Sequence, residues 1–196
     1  MKIGIDIDEV IAEFLESFLE FYNLKYNGNF KKEDFKDYKF EEILGGTPDK
    51  TAELIQEHGY DGEIRLVDGA LEAVKELSKK HELIILTARH PMFKDKTEKF
   101  LEMHFGNIFS QILYTGEAFQ KYGTTKSDLC KELDINIIIE DNKLFSRECA
   151  EKGIRVLLFD KPWNQIYEHH KNIIRVKDWK EILEKLEEER TNGIYC

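Results

Sequence analysis

Short apolar runs alternate with amphipathic helical segments along most of the chain, and this alternation restricts the fold more than any other feature. In the first run, residues 2–7, isoleucines alternate with glycine and aspartate in the two-residue period of a strand. Four later apolar runs have the length and composition of strands: residues 83–86, 111–114, 135–139 and 155–159. Strands that alternate with helices form βαβ units around a parallel sheet. The sequence therefore predicts an α/β fold with a doubly wound, mainly parallel, five-stranded sheet.

Helical spacing and capping residues place the helices between these strands. Apolar residues recur at helical spacing soon after Asp8, so we expect the chain to pass from strand to helix at that residue. Asp68 is predicted to cap the helix before the second strand. Thr125, with Asp128 in the first turn, is predicted to cap a later helix.

Residues 27–62 interrupt the regular alternation. Aromatic side chains are scattered there among charged residues and glycines, at Phe30, Phe35, Tyr38 and Phe40. Thr47 followed by Pro48 is typical of a helix start. We interpret residues 14–62 as an inserted helical cap, residues 1–13 and 63–190 as the α/β core, and residues 191–196 as a flexible tail.

Composition excludes several classes of partner. The formal net charge of −10 argues against binding long nucleic acids, whose phosphates require basic side chains. No apolar run approaches the length of about 20 residues that a transmembrane helix needs, and no signal peptide is evident. Cys130, Cys149 and Cys196 lack metal-binding spacing and are expected to be reduced thiols. These features predict a soluble cytoplasmic protein without a membrane partner, and they leave the oligomeric state open, a homodimer included.

Reactive side chains follow the predicted strands at their carboxyl ends, where ligands bind to open parallel sheets. The first strand ends at Asp6-Ile7-Asp8, the second at Thr87-Ala88-Arg89 and the fourth at Glu140-Asp141-Asn142, while Lys126 follows the third. Carboxylates, a hydroxyl and an ammonium on one rim can hold a hard divalent cation and neutralise a phosphoryl group. Each residue alone has an ordinary structural explanation, such as Asp141 capping the next helix. Their common location predicts a site of phosphoryl transfer.

The four motifs IGIDIDEV (3–10), LTAR (86–89), Lys126 and IIIEDN (137–142) resemble those of the haloacid dehalogenase (HAD) superfamily of phosphohydrolases. The resemblance covers essentially the whole chain and implies a HAD-like, Rossmann-type fold. Glu9 departs from the pattern, because the family commonly has glycine there, and we expect a local change in loop shape. The second aspartate, Asp8, favours the phosphatase branch of the superfamily.

The resemblance also implies roles for the individual residues. Asp6 would attack phosphorus, and Asp8 would protonate the leaving oxygen and then deprotonate the hydrolytic water. Mg²⁺ would be held by the Asp6 carboxylate, the Asp8 backbone carbonyl and Asp141. Thr87 would hydrogen-bond a phosphoryl oxygen, and Lys126 would offset the charge of Asp6 and of the phosphate.

Three neighbouring residues are candidates for contact with the substrate. Arg89 either clamps a substrate phosphate or forms a structural ion pair. Glu140 is either a second metal ligand or a carboxylate that orients a metal-bound water. Asn142 completes this set because it follows Asp141 directly.

Within the superfamily, the chain resembles the 5'(3')-deoxyribonucleotidase-like family of nucleotidases. The early inserted cap, the T-x-x-aromatic-L segment at 97–101 and the sequence FDKPWN at 159–164 carry this narrower resemblance. It implies that the substrate is a nucleoside monophosphate. The cap aromatics would then either stack on the base or form a small core. Trp163 and Asn164 either border the site or simply pack their loop.

Three other functions stay open at this stage. The enzyme could be a phosphatase of sugar phosphates or other small phosphomonoesters. A receiver module, which accepts a phosphoryl group on aspartate, shares the residue types, but its order of motifs differs and it has no cap after the first strand. A homologue without catalytic activity is the third alternative.

Overall fold

The computed structural model of the protein describes residues 1–36, 39–60, 64–115, 125–165 and 169–191. Within these residues the chain forms one six-stranded sheet in the order β3-β2-β1-β4-β5-β6, and every neighbouring pair is parallel. The strands are β1 Lys2–Ile5, β2 Glu82–Thr87, β3 Phe109–Tyr114, β4 Ile137–Glu140, β5 Arg155–Phe159 and β6 Ile173–Val176. The predicted α/β fold with a doubly wound parallel sheet is confirmed.

The prediction of five strands was wrong by one, because β6 is an additional edge strand. Its four residues form too short a run to distinguish from a loop by periodicity. What defines β6 is its pairing with β5, where Val156 lies beside Ile173 and Phe159 beside Val176. That pairing depends on tertiary contacts that a local pattern does not contain.

Eight α-helices lie in the described residues. They are α1 Phe14–Tyr26, α2 Phe40–Leu44, α3 Pro48–His58, α4 Ala70–Ser78, α5 Lys94–Phe105, α6 Lys126–Glu132, α7 Lys143–Glu151 and α8 Trp179–Thr191. Short 3-10 helices occur at Lys32–Asp34, Pro91–Phe93 and Pro162–Asn164.

Both faces of the sheet are covered, which explains why the strands are apolar on both sides. One face packs against α1, α4, α5 and α8, and contains Ile3, Ile5 and Ile85. The opposite face packs against α6 and α7, and contains Ile84 and Ile138. Gly4 lies on this second face, where a Cβ atom would stand 3.0 Å from Leu86 Cδ1. The centre of the sheet is therefore a dry, closely packed support for the ends of its strands.

The predicted start of α4 was wrong. Gly69, not Asp68, is the residue before the helix, and no side chain caps it. Gly69 has a φ of 77°, a left-handed conformation that glycine adopts without steric cost. Backbone conformation thus determines this helix start instead of a hydrogen bond from a side chain.

The chain also does not pass directly from strand to helix at Asp8. It first makes a tight turn in which the amides of Val10, Ile11 and Ala12 all donate to the carbonyl of Ile7, and α1 begins only at Phe14. The turn fixes the backbone directly after Asp8.

Of the four helices between β1 and β2, three lie in the segment interpreted as a cap, together with one 3-10 helix. As predicted, α3 begins at Pro48, with Thr47 accepting a hydrogen bond from the Lys50 amide. Phe35 and Phe40 are buried in the same core as α1, so these aromatics do build a core. Tyr38 and the predicted cap boundary at residues 62–63 lie outside the described residues, as do residues 192–196 of the predicted tail. The division into cap, core and tail stays a prediction.

No helix in the described ranges is both long enough and apolar enough to cross a membrane. Cys130 and Cys149 are buried free thiols, as predicted. Cys196 lies outside the described part of the chain.

Candidate active site

Lys126 joins the ends of β1 and β4 into one cluster of charges. Its Nζ lies 2.9 Å from Asp6 Oδ1 and 2.7 Å from Glu140 Oε2, and its side chain has no solvent exposure. The Asp6 amide donates to the Ile139 carbonyl, which holds Asp6 beside β4. Two strand ends and the first residue of α6 therefore meet at one buried point.

The start of α6 positions this lysine. Thr125 Oγ1 accepts a hydrogen bond from the Asp128 amide, and Asp128 Oδ2 accepts one from the Thr125 amide. This reciprocal pair is a capping box, as the sequence predicts, and it is a rigid way to begin a helix. Lys126 is the first helical residue after it, so its side chain leaves the helix at a fixed point.

Glu140 uses both of its carboxylate oxygens inside the protein. Oε2 accepts a hydrogen bond from Lys126, while Oε1 accepts hydrogen bonds from the amides of Asp141 and Asn142 at 3.2 and 3.0 Å. Glu140 therefore orients both the lysine and the backbone that follows β4.

Asp141 is held by the loop after β5. Trp163 Nε1 donates to Asp141 Oδ2 at 2.7 Å, and Asn164 Nδ2 donates to the Asp141 carbonyl at 2.7 Å. Both residues are buried, so they border the site and pack their loop at the same time. The sequence FDKPWN thus supports the carboxylate at the end of the neighbouring strand.

Asp6, Glu140 and Asp141 form the one group of potential metal ligands found among the described residues. Each offers a carboxylate oxygen, and these atoms lie within 4.8 Å of one another. Burial and the nearby charge of Glu140 raise the pKa of Asp6 to about 7, although Lys126 opposes this. Burial and the charges of Glu140 and Asp6 also raise the pKa of Asp141. The single positive charge of Lys126 does not balance the negative charge of three ionised carboxylates.

Asp8 does not join this cluster through its carboxylate, which is paired with Arg89 instead. Arg89 Nη2 donates to Asp8 Oδ1 at 2.6 Å, and Arg89 Nε lies 3.1 Å from both carboxylate oxygens. Of the two alternatives left open for Arg89, the structure contains the ion pair.

Thr87 and Asn142 lie on either side of the cluster. Thr87 is buried, and its Oγ1 accepts a hydrogen bond from the Arg89 amide at 3.1 Å. Asn142 Oδ1 accepts hydrogen bonds from the amides of Leu144 and Phe145, so Asn142 is the residue that caps α7. The alternative in which Asp141 caps that helix was therefore wrong. The predicted contact between Asn142 and substrate stays a prediction.

Glu9 occupies the position where the superfamily commonly has glycine, and it keeps a glycine-like backbone. Its φ is 62°, a conformation that costs an L-residue roughly 1–2 kcal/mol. Its side chain is fully buried, with Oε1 accepting a hydrogen bond from the Leu15 amide at 2.7 Å and Oε2 lying 2.5 Å from Lys32 Nζ. Burial alone would lower the pKa of Lys32, but the charge and hydrogen bond of Glu9, together with the charges of Glu13 and Glu16, outweigh burial and raise this pKa. This pair ties the segment around Lys32 to the turn after Asp8.

We expect Lys32→Met to destabilise the protein much more than Glu9→Gln does. The first change leaves a carboxylate buried without its cation, which costs roughly 3 kcal/mol. Glutamine at residue 9 still accepts the Leu15 hydrogen bond and leaves Lys32 partly hydrated, so the loss is about 1 kcal/mol. Urea unfolding curves measure both. The double variant should recover most of the Lys32→Met loss, and Lys50→Met, which removes an exposed pair with Glu53, is the control. Equal losses from the two single variants would contradict the expectation.

A cavity of about 470 Å³ lies between the strand ends and the helices that follow β1. The carboxylates Asp6, Asp8, Glu140 and Asp141 line it together with mainly apolar side chains. The apolar part includes Phe14, Phe40, Ile55, Tyr60, Met92 and Phe93. The cavity therefore combines a carboxylate-lined end, which suits a cation, with an apolar part that can accommodate a flat group.

Sequence reasoning missed two residues that hold Arg89. The ring centroid of Tyr60 lies 4.3 Å from the Arg89 guanidinium carbon, and Thr97 Oγ1 lies 3.4 Å from Nη1. Thr97 belongs to the T-x-x-aromatic-L segment, which supports the family resemblance, but sequence reasoning assigned Thr97 no role. Tyr60 lies in a stretch without periodicity, and only the folded chain brings it to the site.

Comparison with known proteins identifies the family of this chain. Residues 1–188 match the family described as "5' nucleotidase, deoxy (Pyrimidine), cytosolic type C protein" (NT5C). The chain is 28% identical over 188 residues to "Putative nucleotidase YqfW" of Bacillus subtilis, and the match covers 94% of this chain and 92% of that protein.

Two solved structures share the fold. A haloacid dehalogenase-like hydrolase of Streptococcus pneumoniae superposes with a TM-score of 0.67 at 20% identity, over 94% of this chain and 97% of the other. The "putative HAD-hydrolase YfnB" of Bacillus subtilis, described as bound to magnesium, superposes with a TM-score of 0.64 at 15% identity, over the same shares of the two chains. At these identities the likeness concerns the fold alone.

Proposed function

The chain belongs to the NT5C family of 5' nucleotidases, and on that premise we propose that this phosphoric monoester hydrolase cleaves nucleoside or deoxynucleoside monophosphates through an aspartyl-phosphate on Asp6. The predicted membership of the HAD superfamily is confirmed by the family and the fold. The family is one of nucleotidases, which favours an active phosphohydrolase over the receiver module and the inactive homologue. One observation carries the proposal: Lys126 joins Asp6 to Glu140 beside an aromatic-lined cavity.

The carboxylate cluster fits a hard divalent cation. Its donors are all oxygens, its ligand atoms lie within 4.8 Å of one another, and it carries more negative charge than one lysine balances. Burial raises the pKa values of Asp6 and Asp141, and the repulsion from neighbouring carboxylates raises them further. Asp6, Asp141 and the Asp8 backbone carbonyl would hold Mg²⁺, as the HAD resemblance implies. When bound, the ion supplies positive charge that brings the phosphate and the Asp6 carboxylate together.

In the first half of the reaction, the Asp6 carboxylate attacks phosphorus and the bond from phosphorus to the ester oxygen breaks. Asp8 delivers a proton to that oxygen, so the nucleoside leaves as a neutral alcohol. Lys126 offsets charge on Asp6 and on the phosphoryl group, and Thr87 donates a hydrogen bond to a phosphoryl oxygen.

In the second half, Asp8 takes a proton from a water molecule that attacks the aspartyl-phosphate. The bond from phosphorus to the Asp6 oxygen breaks, which releases inorganic phosphate and restores both carboxyl groups. Glu140 acts in both halves by orienting Lys126 and the backbone at Asp141, rather than as a direct ligand of the cation.

The walls of the cavity favour a nucleotide over a sugar phosphate. Aromatic side chains offer flat faces to a base, and stacking on them contributes about 1–3 kcal/mol per base. A sugar would leave its hydroxyl groups facing Phe14, Phe40 and Phe93, with few hydrogen-bond partners. In this proposal residues 14–62 serve as a cap that excludes water from a small cytoplasmic substrate.

We expect phosphate release from nucleoside monophosphates to exceed release from sugar phosphates, to require Mg²⁺ and to stop in EDTA. A panel of ribo- and deoxyribonucleotides and sugar phosphates, assayed for inorganic phosphate, measures this. Asp6→Asn is the blank for contaminating phosphatases. Faster release from sugar phosphates would overturn the substrate class and leave the mechanism intact. Full activity in EDTA, or in Asp6→Asn, would overturn the mechanism.

A further inference from the structure

Arg89 is buried, charged and fully engaged, yet the proposed reaction assigns it no step. Its side chain is 1% exposed, while that of Asp8 is 19% exposed. Burying a guanidinium is costly unless it is paired and hydrogen-bonded. Among the described residues Asp8 is the one carboxylate with which Arg89 forms an ion pair, and this pair restrains both groups.

The surroundings of Arg89 fix it from three sides. Thr97 Oγ1 accepts from Nη1 at 3.4 Å, the Tyr60 ring covers the guanidinium at 4.3 Å, and the Phe100 ring lies at 5.9 Å. Thr97 itself has no solvent exposure. Cation–π contacts of this kind hold an arginine without competing for its hydrogen bonds. The guanidinium is therefore a rigid support, and Asp8 is the partner that it orients.

The geometry disfavours a direct contact between Arg89 and the substrate phosphate. Nε and Nη2 are both directed at Asp8, and Nη1 is directed at Thr97. With 1% of the side chain exposed, a phosphate would have to displace Asp8 to reach this fork. A bidentate fork restrains a carboxylate in both direction and rotation.

From this arrangement we infer that Arg89 is a positioning residue: it holds the Asp8 carboxyl group where its protonated form can deliver a proton to the leaving oxygen, and Asp8 remains as the carboxylate. The inference rests on the proposed function, in which Asp8 is the general acid. It assigns Arg89 to the departure of the alcohol and not to the binding of phosphate.

The test uses leaving groups that differ in their need for a proton. 4-Nitrophenyl phosphate leaves as a stable anion, whereas benzyl phosphate, of similar size and also aromatic, needs protonation. The ratio kcat/KM reports the steps up to formation of the aspartyl-phosphate, before Asp8 acts as a base. We expect Arg89→Gln to lower kcat/KM for benzyl phosphate roughly 100-fold, the lower range for general acid catalysis, and that for 4-nitrophenyl phosphate less than about 10-fold.

Three further variants make the result decisive. Asp8→Asn should lower kcat/KM for benzyl phosphate even more than Arg89→Gln does, and should again affect 4-nitrophenyl phosphate less. Arg89→Lys should recover part of the benzyl phosphate activity, because it restores the charge without the fork. Arg65→Gln, which removes an exposed arginine paired with Glu16, should match the wild-type enzyme on both substrates. Circular dichroism and urea unfolding confirm that each variant is folded.

Two outcomes separate a failure of the inference from a failure of the proposed function. If Asp8→Asn depends on the leaving group but Arg89→Gln loses both substrates equally, Arg89 acts on the phosphate and the inference is overturned. If Asp8→Asn itself shows no such dependence, or Asp6→Asn stays active, the proposed mechanism fails first, and with it the role of Arg89.

Discussion

Asp6→Asn is expected to abolish phosphate release and, at the same time, to stabilise the metal-free protein at neutral pH. The loss of activity should reach at least about 10⁴-fold, the scale on which removal of a nucleophile acts in other enzymes. The gain in stability has a separate cause, which is the cost of burying a carboxylate among others of the same charge.

The sign of the effect on stability follows from the pKa of Asp6. Burial and the neighbouring carboxylates raise it from 3.8 to about 7, so the folded protein binds this proton more tightly than the unfolded chain does. The free energy of unfolding of the wild-type protein therefore falls as pH rises between about 4 and about 7, at a rate of about 1.4 kcal/mol per pH unit within that window. Asparagine carries no charge, so the free energy of unfolding of the variant does not fall for this reason as pH rises.

Urea unfolding in EDTA at several pH values measures the difference. The stability gap between Asp6→Asn and wild type should widen from acid to neutral pH and then stay constant. Asp68→Asn, a change at an exposed aspartate that caps no helix, should show no such widening. Added Mg²⁺ should narrow the gap, because a bound ion stabilises the protein that retains the ligand. A gap that shrinks as pH rises would contradict the assignment of Asp6 as an unbalanced buried carboxylate.

Lys126→Met should be the most destabilising single change at the site. It removes the ammonium that lies within 2.9 Å of both Asp6 and Glu140, and leaves these carboxylates buried without a cation. Removing one partner of a buried ion pair costs roughly 3–5 kcal/mol. The two carboxylates raise the pKa of Lys126 in spite of its burial, so the lysine stays charged over the range of pH in which the enzyme would act.

The same substitution should lower kcat by roughly 10²–10³-fold, because it removes positive charge from the phosphoryl group as that group transfers. Unfolding curves and initial rates measure the two effects separately. The double variant Lys126→Met with Glu140→Gln should regain much of the stability but little of the activity. Lys131→Met changes an exposed lysine of the same helix and is the matched control. Stability equal to that control would mean that the cluster is hydrated rather than buried.

Much of the site could be predicted from the sequence because its residues stand at strand ends. In a parallel sheet, any residue directly after a strand lies at one edge, so Asp6, Thr87 and Asp141 were expected to be neighbours before their contacts were known. Lys126 was expected at the same edge because it follows the third strand, and the capping box of Thr125, which is a local pattern, sets the start of its helix. Strand ends and helix starts are properties of short segments.

The partners of these residues could not be predicted in the same way. Arg89 pairs with Asp8 across 81 residues of sequence, and Trp163 with Asp141 across 22. No periodicity selects the ion pair over the phosphate clamp for Arg89, because both use the same fork. Tyr60 comes to the guanidinium only through the packing of α3, and Glu9 meets Lys32 only after the turn that follows Asp8 has formed.

The alternation of strands and helices, the parallel sheet, and the carboxylates, hydroxyl and ammonium that meet at its edge were all evident in the amino-acid pattern. They follow from backbone periodicity and from the common direction of parallel strands. The sixth strand, the glycine start of α4, the engagement of Asp8 by Arg89 and the support of Asp141 by Trp163 became visible only in the folded chain. Each of these depends on hydrogen bonds, charges or backbone conformations that arise when distant segments pack, and a local pattern carries no record of them.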